Sequence, residues 1–233
     1  MRDWLKRLIG REAEAITAAT PMFWQQYTAA MAEQASAKTP LVEVDFVVFD
    51  TETTGLDPKI DRVLSIGAVR VHGGQVLISE SFECLVKQEE TPQLKSAEVH
   101  GLLSKQLEEG LPEQDALEAF IRFTGNAVLV GQHVAFDIAM VNQMLRHQGI
   151  NDKLRNRSID TAQLAIRLEH RRGDHHTLKP AEYSLDALCA RYNLPTDDRH
   201  TASGDAFATA LLLLKLLSLA RKRKIYTLGE LVK

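Results

Sequence analysis

Cysteine is scarce: only Cys84 and Cys189 occur, and no Cys-x-x-Cys spacing is present. That excludes a disulfide-built scaffold and any thiolate zinc site made without help from histidine or acids. Two reduced thiols in apolar segments fit a cytoplasmic protein. No apolar run approaches the length of a membrane span. In residues 1–10, Trp4, Leu5, Leu8 and Ile9 share one helical face, but Arg2, Asp3, Lys6 and Arg7 interrupt it. A signal-peptide core is therefore lacking, and a surface or partner-facing amphipathic helix is expected there. Charge imbalance is missing too. A net charge of −3 neither proposes nor excludes a nucleic-acid partner. Any phosphate-binding surface must be local, or be made by bound metal. Internal repeats and low-complexity tracts are also absent. What is left, 45% hydrophobic and 25% charged residues in a chain of 233, suits one sizeable core plus an appendage.

The richest segment is Phe46-Val47-Val48-Phe49-Asp50-Thr51-Glu52-Thr53-Thr54-Gly55. Four apolar residues run into two acids separated by one residue. Side chains two apart on a strand share a face, so a buried strand would deliver both carboxylates to one point at its end. Like charges so placed need a cation between them, and grouped oxygens suit a hard divalent ion such as Mg2+ or Mn2+. The plain alternative is a strand that ends in a polar turn.

Around this segment the pattern reads as a mixed sheet flanked by helices. Residues 44–50 form a nearly continuous apolar strand, covered on both faces. Residues 63–72 and 75–86 flank Gly73-Gly74, a hairpin turn. Helices are expected over 112–123, 138–148, 161–169, 184–192 and 203–219, with short strands at 127–130 and ending at Asp160. The helix at 203–219 is apolar nearly all round and should be buried. Residues 168–179, rich in His and Arg, read as an exposed loop. Before the main domain, Thr20-Pro21 reads as a cap with proline at the first helical position. Phe23, Trp24, Tyr27 and Met31 follow at helical spacing, either packing on the main domain or meeting a partner or a second copy. Residues 35–40 look like a short linker.

Two further acids stand at element boundaries. Asp137 opens an amphipathic helix, where a helix cap is an equally simple role. Asp205 heads the most apolar helix, where it needs a metal, a cation or the helix N-terminus. His200 precedes that helix in Arg199-His200-Thr201-Ala202-Ser203-Gly204-Asp205. A histidine beside an activated water can act as a general base near neutral pH, or simply lie on an exposed loop.

Taken together, Asp50-Thr51-Glu52-Thr53-Thr54-Gly55-Leu56, Val99-His100-Gly101, Phe136-Asp137 and His200-Thr201-Ala202-Ser203-Gly204-Asp205-Ala206 resemble, in order, the DEDDh 3′–5′ exonucleases. This group includes the proofreading epsilon subunit of bacterial DNA polymerase III. The resemblance spans about residues 44–217. It implies an α/β, ribonuclease H-like fold with a five-stranded mixed sheet flanked by helices. It further implies Asp50, Glu52, Asp137 and Asp205 as ligands of two divalent ions, Mg2+ or Mn2+, and His200 as the base. Thr53, Thr54 and Leu56 would line the terminal nucleotide, with His100 and Phe136 nearby. The tyrosine branch of the family would place Tyr at position 201, which is Thr here, so the histidine branch fits. Gln132-His133 departs from the family's usual His-Asn.

The organisation expected is an N-terminal helical extension at 1–40, an exonuclease domain at 41–220 and a basic tail at 221–233. The expected activity is metal-dependent release of nucleoside 5′-monophosphates from single-stranded or frayed 3′ ends, DNA ahead of RNA. An RNA trimmer and a non-catalytic nucleic-acid-binding module are the alternatives. The short stretch after Asp205 favours a stand-alone or auxiliary enzyme over a polymerase subunit. Arg221-Lys222-Arg223-Lys224 could follow a nucleic-acid backbone or complement a helix dipole.

Overall fold

The structure is a computed structural model that describes residues 20–88, 107–170 and 179–232. The helix expected at 1–10, His100 and most of the loop at 168–179 lie outside the described residues.

Five strands form one mixed sheet in the order β3-β2-β1-β4-β5. β1 (Phe46–Thr53) is central. It pairs antiparallel with β2 (Val63–His72), which pairs antiparallel with β3 (Gln75–Leu85). On its other side β1 runs parallel to β4 (Val128–Gly131), and β4 to β5 (Ser158–Asp160). His72 pairs with Gln75, leaving a two-residue turn in which Gly73 and Gly74 have φ of 60° and 76°. Only glycine takes that left-handed pair without steric cost, so Gly-Gly sets the hairpin register.

The alternation within β1 divides the core in two. Phe46 and Val48 face a layer built from α4 (Thr161–Glu169), α5 (Leu185–Tyr192) and α6 (Ala202–Lys222). Val47 and Phe49 face the layer of α1 (Met22–Ala30), α2 (Glu113–Thr124) and α3 (Ala135–His147). With apolar side chains on both faces, the strand reads as an unbroken hydrophobic run.

The expected cap at Thr20 is not formed. α1 begins at Met22 after Pro21, with no side-chain cap bond. Phe23, Trp24 and Tyr27 are buried in the second core, and the Tyr27 hydroxyl donates to Asn156 at 2.7 Å. Phe23, Trp24 and Tyr27 thus pack on the main domain.

The stretch at 35–40 is tied down as well. Leu228 and Gly229 donate backbone hydrogen bonds to Thr39 and Ala37. Leu228 and Leu231, in the short α7 (Leu228–Leu231), are buried in the first core. The basic run straddles the end of α6, exposed, about 24 Å along the helix from Asp205.

α6 corrects two expectations. It is long and apolar enough to cross a membrane by length and composition alone. It nevertheless lies on β1 and β2 as a core helix. It is also not buried all round: Phe207 is exposed on its outer side.

Candidate active site

The carboxyl ends of β1, β4 and β5 point to one edge of the sheet, the crevice where parallel α/β sheets place their ligands. β1 brings Asp50 and Glu52 there on the α6 side. The intervening Thr51 faces α3, as the two-residue period requires. The pairing of β1 with β4 is recorded from Phe46–Val128 through Val48–Val130, one turn of the pleat before Asp50.

Asp205 arrives from the first turn of α6. Two glycines allow it to come close. Gly67 is the partner of Asp50 on β2, and a Cβ there would lie 2.2 Å from the Ser203 nitrogen. The start of α6 therefore rests directly on sheet backbone. At Gly204 a Cβ would meet the Asp198 carbonyl oxygen at 1.9 Å, so the turn before the helix packs against it equally tightly. As a result one oxygen each from Asp50, Glu52 and Asp205 lie within 4.8 Å of one another. Thr201 caps α6, accepting from the Gly204 N–H, so Asp205 is not the cap and a cation is the partner it calls for.

Asp137 lies in the first turn of α3 and is only 3% exposed. It makes no cap. One of its oxygens accepts from both the Thr51 N–H at 3.0 Å and the Thr51 hydroxyl at 2.7 Å. β1 thus contacts the fourth acid through the residue between its own two.

The charges are costly as they stand. Asp50 is raised well above the ordinary carboxylate range, by burial first and then by Asp137 and Glu52, while Arg199 pulls it back. Burial, reinforced by Asp137 and opposed by Arg199, pushes Glu52 from 4.5 to about 7. Asp137 is pushed from 3.8 to about 7 by burial, against its Thr51 hydrogen bonds and with Asp160 adding to the rise. A set of hard oxygen donors that crowds like charges in a largely desolvated crevice fits a divalent cation.

The pH dependence follows. Between the ordinary carboxylate range and about 7, the folded chain keeps protons that the unfolded chain has lost. Stability of the metal-free protein is therefore expected to fall as pH rises through that window, on the order of a few kcal/mol in all. Melting curves in EDTA should shift downward from about pH 5 to about pH 8, and Mn2+ should raise the midpoint more at the higher pH. A flat profile in EDTA would contradict the crowding.

Arg199, unmarked by the sequence reading, is the cation already present. Its guanidinium pairs with Asp205 and, at 2.8 Å, with Asp186 of α5, and its side chain is 12% exposed. It sits between Asp198 and His200, whose φ values of 59° and 67° are left-handed. Each costs about 1 kcal/mol for a residue with a Cβ. The His200 N–H donates to Asp205 at 3.2 Å. The His200 side chain is exposed at the rim, bordering a cavity shared with Asp186, Cys189 and Thr196.

The expected nucleotide contacts divide. Thr53 is buried and its hydroxyl donates to the Gly55 carbonyl at 2.7 Å. The Thr54 hydroxyl donates to Asp61 at 2.8 Å. Both hydroxyls therefore shape the loop after β1. That loop presents Leu56, 84% exposed. Phe136 is half-buried against the second core. Gln132 donates to the Tyr183 carbonyl and accepts from the Thr161 hydroxyl, which locks the end of β4 to α4.

The sequence model of the exonuclease family named RNase_T matches residues 47–213, which includes the four acids and His200. The chain belongs to this exonuclease family. A DNA polymerase III subunit epsilon-like protein of Rhodobacter capsulatus is 34% identical over 203 residues, 86% of this chain and 27% of that protein. A PolC-type DNA polymerase III of Thermotoga maritima is 31% identical over 191 residues, covering 82% of this chain and 13% of its own length. The chain thus spans less than a third of the length of these relatives. Among solved structures, E. coli Exonuclease I in complex with a dT13 oligonucleotide superposes with a TM-score of 0.62 at 18% identity, over 78% of this chain and 43% of that one. Exonuclease X in complex with 5′ overhanging duplex DNA gives 0.57 at 20% identity, over 76% and 93%. Both share the ribonuclease H-like sheet with this exonuclease domain.

Proposed function

We propose that the chain is a metal-dependent 3′–5′ exonuclease that releases nucleoside 5′-monophosphates from single-stranded or frayed DNA ends. The observation that carries this is the meeting of Asp50, Glu52 and Asp205 at one point, with Asp137 joined to the same strand through Thr51. Two divalent ions held there, Mg2+ or Mn2+, would supply positive charge to the phosphoryl group and acidify an attacking water. Asp50, Glu52 and Asp205 would hold one ion, and Asp50 with Asp137 the other. His200 would take the proton of the water as it attacks phosphorus and the bond to the 3′ oxygen breaks. Leu56, exposed on a loop pinned by Asp61, offers an apolar surface to the terminal base. Such contacts tolerate any sequence.

DNA is placed ahead of RNA in this reading because the two relatives are named as a DNA polymerase III and a DNA polymerase III subunit epsilon-like protein, and the two structural neighbours cited are complexes with DNA. Cys84 and Cys189 are buried free thiols, in keeping with a reducing compartment.

The test is digestion of 3′- and 5′-labelled single-stranded DNA and RNA with Mg2+, Mn2+ or EDTA. Mononucleotides released from DNA, and none in EDTA, are expected. Faster trimming of RNA would reverse the substrate order, and activity in EDTA would end the metal reading. His200→Ala should lower the rate roughly 10²-fold with Mn2+ affinity nearly unchanged. A rate equal to wild type would remove His200 from the mechanism.

A further inference from the structure

Arg199 stands where the proposed reading calls for a metal ion to act. Its side chain is largely covered, its guanidinium joins Asp205 to Asp186 across α5 and α6, and it belongs to a turn held in left-handed backbone on either side. Asp186 is mostly exposed, whereas Asp205 is largely covered. The same cation therefore has one partner inside the acid cluster and one outside it. We propose that Arg199 is a built-in counter-ion that competes with the divalent ion for Asp205, with Asp186 holding the guanidinium once Asp205 is taken. This rests on the metal-dependent reading above, and it makes Arg199 a positioning residue that sets metal affinity.

A divalent ion that engages Asp205 must replace the hydrogen bonds between its carboxylate and the guanidinium. Bonds to charged groups in covered sites are the strong ones, and losing them counts against metal affinity. Removing the guanidinium removes that competitor. It also leaves the carboxylates without a cation when no metal is bound, so the metal-free fold suffers. Removing Asp186 does the reverse for metal: the guanidinium loses its outer partner, and giving up Asp205 becomes harder. The turn at 198–200 is packed against the helix start at Gly204. A guanidinium that changes partner therefore acts on the residue that carries the His200 N–H to Asp205.

A mere staple between the two helices behaves differently. Its loss would loosen α6 and weaken metal binding or leave it unchanged. The experiment is Mn2+ binding to the whole chain, by calorimetry or electron paramagnetic resonance, together with melting in EDTA. Arg199→Met should bind Mn2+ about tenfold more tightly and melt at a lower temperature in EDTA. Arg199→Lys, which keeps the charge but loses the fork, should fall between it and wild type. Asp186→Ala, a change at an exposed residue that should leave the fold intact, is expected to weaken Mn2+ binding several-fold. Unchanged or weaker Mn2+ binding by folded Arg199→Met would overturn the proposal, as would unchanged binding by Asp186→Ala. If the wild-type chain bound no Mn2+, the metal reading itself would fall. If it bound Mn2+ with the variants indistinguishable, only the role of Arg199 would.

Discussion

Asp50→Asn is expected to abolish nuclease activity and, in EDTA at about pH 8, to raise the melting temperature. The two effects share one cause. Asp50 is held well above the ordinary carboxylate range by burial first and then by the charges of Asp137 and Glu52. Asparagine keeps the shape and the strand pairing opposite Gly67 while deleting the charge. Without metal, that relieves repulsion, and about 1 kcal/mol of relief corresponds to roughly 2–4 °C in a chain of this size. With metal, the same change removes a ligand that the proposed mechanism assigns to both ions. Loss of one electrostatic group aimed at a reacting centre costs at least about 10²–10³-fold. Activity assays and melting curves from the same preparation decide the matter. A variant that is inactive and also less stable in EDTA would show that Asp50 serves the fold rather than a cation.

Gly67→Ala should be as damaging, although Gly67 carries no chemistry. The added methyl would lie 2.2 Å from the Ser203 nitrogen and 2.3 Å from the Ala202 carbonyl carbon. These are backbone atoms that cannot rotate away, so the start of α6 must lift by more than about 1 Å to reach ordinary contact. Alanine would gain roughly 0.5–1 kcal/mol over glycine within a strand. Overpacking costs about 1–3 kcal/mol and outweighs it. The larger effect is on Asp205, carried on that first turn, since a displacement of about 1 Å at a reacting group can cost about 10²-fold. Circular dichroism should show a folded, moderately destabilised protein with weakened Mn2+ binding and little activity. Wild-type activity would mean that α6 does not seat on Gly67.

These two residues mark what could be read from the sequence and what could not. Asp50 and Glu52 were legible because a period of two and an apolar run are local signals, and β1 obeys them from Phe46 to Glu52. Gly73-Gly74 gave the hairpin for the same reason. Asp137 and Asp205 could each have been a helix cap, and spacing alone left that open. The structure closes it, because Thr201 caps α6 and Thr51 engages Asp137. Gly67 was silent: its meaning lies in being opposite Asp50 and beneath Ser203, a register no single segment displays. Arg199 was hidden differently, beside a histidine that drew the chemical reading, while its partners Asp186 and Asp205 lie on separate helices. The extension and tail were set apart from the exonuclease domain because no local signal shows what their apolar residues pack against. Yet Trp24 and Leu228 are buried as deeply as the sheet residues.

The stitching of residues 37–39 to residues 228 and 229 has a mechanical consequence. α6 is clamped at both ends, at its start by its seat on Gly67 of the sheet and at its finish by a chain reversal that turns at Lys224 and buries Leu228. A rod fixed at two points cannot slide or pivot. The acid it carries is therefore held to the tolerance of the whole span rather than of a single turn. Shortening the chain after the basic run would free one clamp, and the slack would be felt about 24 Å away, at Asp205.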